Sequence, residues 1–213
     1  MMKKLLIALA IVSGPAFAAQ GLNGTYYNPP ADTTANFDDH FDETTAYLAS
    51  NPTAAGTFTA TYLNYNGGDG SSIVSWLGVD GASFHGTNGG MSDGVITLKG
   101  WIDLAAGETL SVNHDDGYRV LLDGVSVGQM GCCGSTNVDI TGASAGWHAV
   151  EIDYNNALYG DFSGGAYFGV YANGNVISAA DLSTTPVPEA GNGAMLLAGL
   201  GLLGLVARRR APK

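Results

Sequence analysis

Short runs of alternating apolar and polar residues, broken by glycine, asparagine and serine, dominate the chain. The clearest is 146–154, where His148, Val150, Ile152 and Tyr154 share one parity and Trp147, Ala149, Glu151 and Asp153 the other. A period of two marks a strand with one face in a core. On that parity His148 is expected to be a satisfied or rim histidine rather than a ligand. Similar runs predict strands at 25–27, 56–64, 73–77, 95–102, 109–114, 118–122, 126–129, 137–140 and 167–171. One helix is expected at 42–49, opening on Asp42 and Glu43 and stopped by Asn51-Pro52. The oxygen-rich run 64–70 lacks the spacing and terminal glutamate of a calcium loop and reads as a turn. This density of short strands predicts an all-β fold, an antiparallel β-sandwich.

The two ends follow another pattern. Lys3 and Lys4 precede an apolar run from Leu5 to Val12, then Ala16-Phe17-Ala18. That order is expected of a secretory signal peptide, residues 1–18, cut after Ala18 by signal peptidase. At the other end Pro186-Val187-Pro188-Glu189-Ala190 leads into an apolar run and then Arg208-Arg209-Arg210. As a helix, 191–207 would span about 26 Å, a short membrane helix with snorkelling arginines on the cytoplasmic side. This tail resembles the PEP-CTERM sorting signal of Gram-negative bacteria, with Ala190 standing where that motif has a second proline. The resemblance implies an exosortase as processing partner, transient anchoring in the inner membrane through 187–213, and then a place at the cell surface or in the extracellular matrix.

Between these ends, 19–186 is long enough for one domain with a real core. Of the chain's 8 lysines and arginines only Lys99 and Arg119 lie there, against eighteen of its 19 acids, a net charge of −16. Such a charge opposes nucleic acid and anionic membrane surfaces and suits an extracellular protein that binds cations. The 2 cysteines, Cys132 and Cys133, are adjacent. They can pair with each other, pair between chains, or stay free; export into an oxidising compartment favours the bridge between neighbours. No zinc-spaced partners accompany them.

The candidate chemistry sits in His114-Asp115-Asp116-Gly117, between two β-runs. Adjacent carboxylates at a strand rim are hard oxygen ligands of the kind Ca2+ takes. They are not the facing pair of a glycosidase. No Ser/His/Asp constellation or nucleophile elbow stands out, so the sequence reads as non-enzymatic. The histidines at 40, 85 and 114 receive no role.

The opening 21–28, the signature 107–124 and the stretch 146–157 together resemble a protective-antigen-type domain, the PA-fourteen fold, and especially its flocculin and adhesin branch. The resemblance implies that Asp115 and Asp116 are joined by a cis peptide and bind Ca2+, which in turn holds sugar hydroxyls. It implies Asn156 as the third side-chain ligand, carbonyl ligands from Leu158 and Gly160, and sugar contacts from Tyr159 and Phe162. The expected function is a Ca2+-dependent carbohydrate-binding protein of adhesin type, with a carbohydrate or exopolysaccharide as partner. The alternative is a structural biofilm-matrix protein without a specific ligand.

Overall fold

The computed structural model describes residues 19–30, 41–68, 70–157, 165–187 and 199–200. The signal segment and nearly all of the membrane-helix expectation lie outside them. Among the described residues no helix is long and apolar enough to cross a membrane. In chain order the elements are β1 (Leu22–Tyr27), α1 (Phe41–Ala49), β2 (Gly56–Ala60), β3 (Asn64–Gly68), α2 (Ile73–Trp76), a 3-10 turn (Gly78–Ser83) and β4 (His85–Gly86). Then follow β5 (Val95–Leu104), β6 (Leu110–Asp115), β7 (Gly117–Leu122), β8 (Val125–Met130), β9 (Gly134–Val138) and β10 (Gly146–Asn155). β11 (Gly165–Ala172), β12 (Asn175–Val176), a second 3-10 turn (Ala179–Asp181) and β13 (Leu182–Ser183) come last.

The strands form two antiparallel sheets. The larger runs β4-β2-β1-β5-β10-β7-β8, with β13 also on β5; the smaller runs β12-β11-β6-β9, with β3 also on β11. The inward parities fill the space between. Leu22 and Tyr26, Ile96 and Leu98, Ile152 and Tyr154 from the larger sheet meet Leu110, Val112, Phe168 and Val170 from the smaller, all buried. Trp76 wedges into this core, stacked on Tyr154 with ring centroids 5.6 Å apart, and its indole N–H donates to the Ala166 carbonyl at 2.8 Å. The antiparallel β-sandwich read from the sequence is the fold observed.

Three expectations are corrected. The run 73–77 is not a strand: Ser72 caps a short helix by accepting from the Ser75 N–H at 3.3 Å. Its apolar Ile73, Trp76 and Leu77 fall at helical spacing on one buried face. The run 56–64 is two strands in different sheets. Buried Asp80 accepts the backbone N–H groups of Thr61 (2.9 Å) and Tyr62 (3.1 Å), the Thr61 hydroxyl, and the Tyr65 hydroxyl at 2.7 Å. A carboxylate that takes two successive N–H groups removes them from any ladder, and the chain crosses over. Part of 64–70, expected as a turn, is β3, paired with β11 from Asn64↔Gly169 to Gly68↔Gly165.

On the outer face of the larger sheet Asp153 is fully buried and accepts from Arg119 Nε (3.2 Å) and Nη2 (2.6 Å). Arg119 Nη1 also donates to the Thr45 hydroxyl at 3.3 Å, tying α1 to the sheet. Burial raises the Asp153 pKa, against the pull of Arg119.

His148, on the core parity, is satisfied at both nitrogens, by Asp123 Oδ2 at 2.7 Å and the Ser144 carbonyl at 2.8 Å. Two acceptors favour the imidazolium, and its pKa is raised from 6.5, first by the Asp123 bond. A raised histidine contributes stability that is complete below pH ~6.5 and is lost as the pH rises through the folded-state value. Replacing His148 by Gln is therefore expected to lower the Tm most below pH ~6.5, by an amount equivalent to at most about 1 kcal/mol because Asp123 is solvated. The gap from wild type should close at alkaline pH. Thermal melts across that range check it; a gap independent of pH would contradict it.

Candidate functional site

Three passages of the chain change sheet at one end of the sandwich, and the candidate site lies where they meet. β6 belongs to the smaller sheet and β7 to the larger, so Asp115 and Asp116 make the first crossing. Gly131, Cys132 and Cys133 make the second, from β8 to β9. The third begins where β10 ends at Asn155 and is completed when the chain enters β11.

The Asp115–Asp116 peptide bond is cis. One carboxylate oxygen from each aspartate and the Sγ atoms of Cys132 and Cys133 lie within 4.8 Å of one another. The two sulfurs are bonded to each other. Cys133 Sγ lies 3.0 Å from Asp115 Oδ1 and 3.7 Å from Asp116 Oδ1, with Cys132 Sγ 3.9 Å from Asp116 Oδ1. A disulfide sulfur carries no proton, so these are packing contacts, not hydrogen bonds. Nor is it a thiolate, the form that ligates metal. The atoms of this cluster that can hold a cation are thus the carboxylate oxygens, which fit a hard one.

The backbone of the pair is held from beneath. The Tyr154 hydroxyl donates to the Asp115 carbonyl. Fully buried His114 donates from Nδ1 to the Asp116 carbonyl at 2.6 Å and accepts at Nε2 from the Thr136 hydroxyl at 3.1 Å. The carbonyl at Nδ1 places a proton there, so a neutral ring is the Nδ1–H tautomer. Burial lowers the His114 pKa, outweighing the upward pulls of the Asp116 carbonyl and the Asp115 charge. The Asp116 N–H donates to the Asn155 carbonyl at 3.2 Å, and the Ala157 N–H donates to Asp116 Oδ2 at 2.6 Å. Gly117 is required by space: a Cβ there would meet Asn155 Oδ1 at 2.5 Å and Phe41 Cδ2 at 2.7 Å.

Asn156 is buried beside this rim. Its side-chain amide donates to the Met91 carbonyl and its backbone N–H to the Gly94 carbonyl, both at 2.9 Å. The structure therefore brings together Asp115, Asp116, Cys132, Cys133 and the 155–157 segment. Leu158, Tyr159, Gly160 and Phe162 lie outside the described residues. The sequence reading missed three supports, His114, Thr136 and Tyr154, and one neighbour, Tyr167. Tyr167 faces Asp115 across the β6–β11 ladder, and its pKa is raised by burial and then by the Asp115 and Asp116 charges. For His114 a signal existed, since it shares the inward parity of Leu110 and Val112.

The PEP-CTERM protein-sorting motif model matches residues 184–210, which marks the protein for export and exosortase processing. No curated protein matches the chain in sequence. Among solved structures, the PA14 domain of the MpAFP antifreeze protein is similar at TM-score 0.59 and 25% identity, over 84% of this chain and 98% of that one. A PA14 sugar-binding domain from an RTX adhesin is similar at TM-score 0.58 and 24% identity, over 78% and 99%. An anti-sigma factor domain-containing protein reaches TM-score 0.50 at 13% identity, over 80% of this chain and 49% of that one. With two sheets of this topology and that tail, the chain has a PA14-type sandwich with a PEP-CTERM sorting motif behind it.

Proposed function

We propose that the protein is an exported carbohydrate-binding module, presented at the cell surface, whose rim binds Ca2+ and through it a sugar. The observation that carries this reading is the convergence of the Asp115 and Asp116 carboxylates at a junction of three crossings. A similar fold whose name calls it a sugar-binding domain of an adhesin supports the same class of ligand. Bound Ca2+ would supply a centre that accepts vicinal sugar hydroxyls in place of water. The residues of the chain do the positioning. Asp115 and Asp116 give carboxylate oxygens, Asn156 its side-chain oxygen, and Leu158 and Gly160 backbone carbonyls. His114 and Tyr154 hold the dipeptide in place, and the Ala157 N–H orients Asp116 Oδ2. Tyr159 and Phe162 offer aromatic faces to the sugar. In this reading 1–18 is removed by signal peptidase, 19–186 is the binding domain and 187–213 is the sorting segment with its membrane helix.

Adding Ca2+ at a hundredfold excess over Kd is expected to raise the Tm by about 5–10 °C. Asp115→Ala or Asp116→Ala should remove that shift. Asn156→Ala should reduce it, measured against its own lower metal-free Tm because the Met91 carbonyl also loses a donor. A folded wild type that shows no calcium binding by calorimetry at millimolar ion overturns the reading and leaves a structural matrix protein.

Deleting 187–213 is expected to release the body into the periplasm or medium, because the sorting motif goes with it. Cell fractionation with an antibody to the body checks this; a deletion protein that still fractionates with the envelope contradicts it.

A further inference from the structure

The outer face of the smaller sheet continues directly from the rim. Its outward parity carries Asn64 and Asn66 on β3, Tyr167, Gly169 and Tyr171 on β11, and Asn113 on β6. The ladders set these side by side: Asn66 opposite Tyr167, Tyr167 opposite Asp115, and Gly169 between Asn64 and Asn113. They line a cavity of about 360 Å3. Gly169 leaves its floor open to Tyr171, whose ring leans across it: a Cβ on Gly169 would meet Tyr171 Cε2 at 2.9 Å. The Tyr171 hydroxyl donates to Asn64 Oδ1 at 3.3 Å, which fixes the ring in place.

The chemistry of this groove differs from that of the rest of the surface. Cavities elsewhere on the body are lined with carboxylates, Asp103, Glu108 and Asp181 in one and Asp123 and Asp139 in another. Among the described residues this one holds amides, tyrosines, Phe168 and no charged group. In so acidic a protein, an uncharged groove excludes neither cationic nor anionic ligands by contact but rewards a neutral one. Asparagine amides offer a donor and an acceptor together, which matches vicinal hydroxyls, and a fixed tyrosine face matches the C–H face of a sugar ring. From Tyr167 to Tyr171 the groove runs about 13 Å along β11, longer than a single sugar ring.

We propose that this face is a second carbohydrate-contact surface, a groove for a neutral polysaccharide chain that continues from the rim. It extends the ligand class proposed for the rim and needs no metal of its own.

The test is full-length protein on an array of uncharged glucans, mannans and galactans of increasing length, with and without chelator. Wild type should bind longer chains more tightly than the matching monosaccharides. Tyr171→Ala should remove roughly fivefold of that gain, the worth of one aromatic contact of about 1 kcal/mol, while Tyr171→Phe, which keeps the ring but gives up its bond to Asn64, should lose less. Asn66→Ala, at an exposed strand position, provides a second variant that leaves the core untouched and should also reduce the gain. Unchanged calcium-dependent Tm shifts in these variants would show that the rim is intact. The chelator arm judges the rim separately: chain binding that survives chelation and is lost in Tyr171→Ala supports the groove even if the rim reading fails. Equal affinity for short and long chains, no binding to any chain, or a Tyr171→Ala protein that matches wild type at every length overturns the proposal.

Discussion

The ten-residue ladder between β5 and β10 is the constraint on which the rim depends. It runs from Gly146↔Leu104 to Asn155↔Val95 without a register shift. Because β10 also pairs with β7, ending at Asn155↔Gly117, one residue fixes where both neighbouring strands meet the rim. A one-residue slip in this ladder would turn Ile152 and Tyr154 out of the core and Asp153 into it. The same slip would carry the Asn155 carbonyl away from the Asp116 N–H and the Ala157 N–H away from its carboxylate. Core packing and site geometry therefore share a single register, and the burial of Val150, Ile152 and Tyr154 holds both.

Alternation made the strands that flank the site legible. β6 and β7 bury one parity, as does β10 up to Ile152, so hydrophobic pattern alone located them within a residue or two. What it could not show was the point at which a strand changes sheet. Asp80 takes the N–H groups of Thr61 and Tyr62 from 19 and 18 positions away, and no local pattern announces that. The run 73–77 was as apolar as a strand, and its helical fate rested on a serine cap and the spacing of Ile73, Trp76 and Leu77. β3 was hidden for the opposite reason: its outward asparagines and glycines look like a turn until β11 is placed beside it. The acidic pair was visible as a motif. Its meeting with Cys132 and Cys133 was not, because that depends on two crossings reaching the same end of the sandwich.

Charge is distributed to match this plan. The two basic side chains of the body both lie on the outer face of the larger sheet, Lys99 with Glu151 at 3.0 Å and Arg119 with Asp153 at 2.6 Å. The exposed Lys99 pair contributes little. The Arg119 pair is covered by α1, and removing either partner would strand a buried charge, a change that costs several kcal/mol in general. Among the described residues the smaller sheet has no such pairs on its outward parity, and away from Asp115 its polarity comes from amides and hydroxyls. The two faces of the sandwich are thus built for different tasks, one to seat a helix and the other to meet solvent.

The two ends of the described domain close on each other: Thr184 donates to the Ala19 carbonyl at 2.9 Å, and Ser183 bridges to Gln20. β13 lies against Trp101 and Ile102, six strand residues from the Val95 end of β5 and so about 20 Å from the rim. Any tether that continues from Thr184 therefore leaves from the pole opposite the aspartates. A body held by a tail that leaves there would turn its aspartate rim away from the point of attachment.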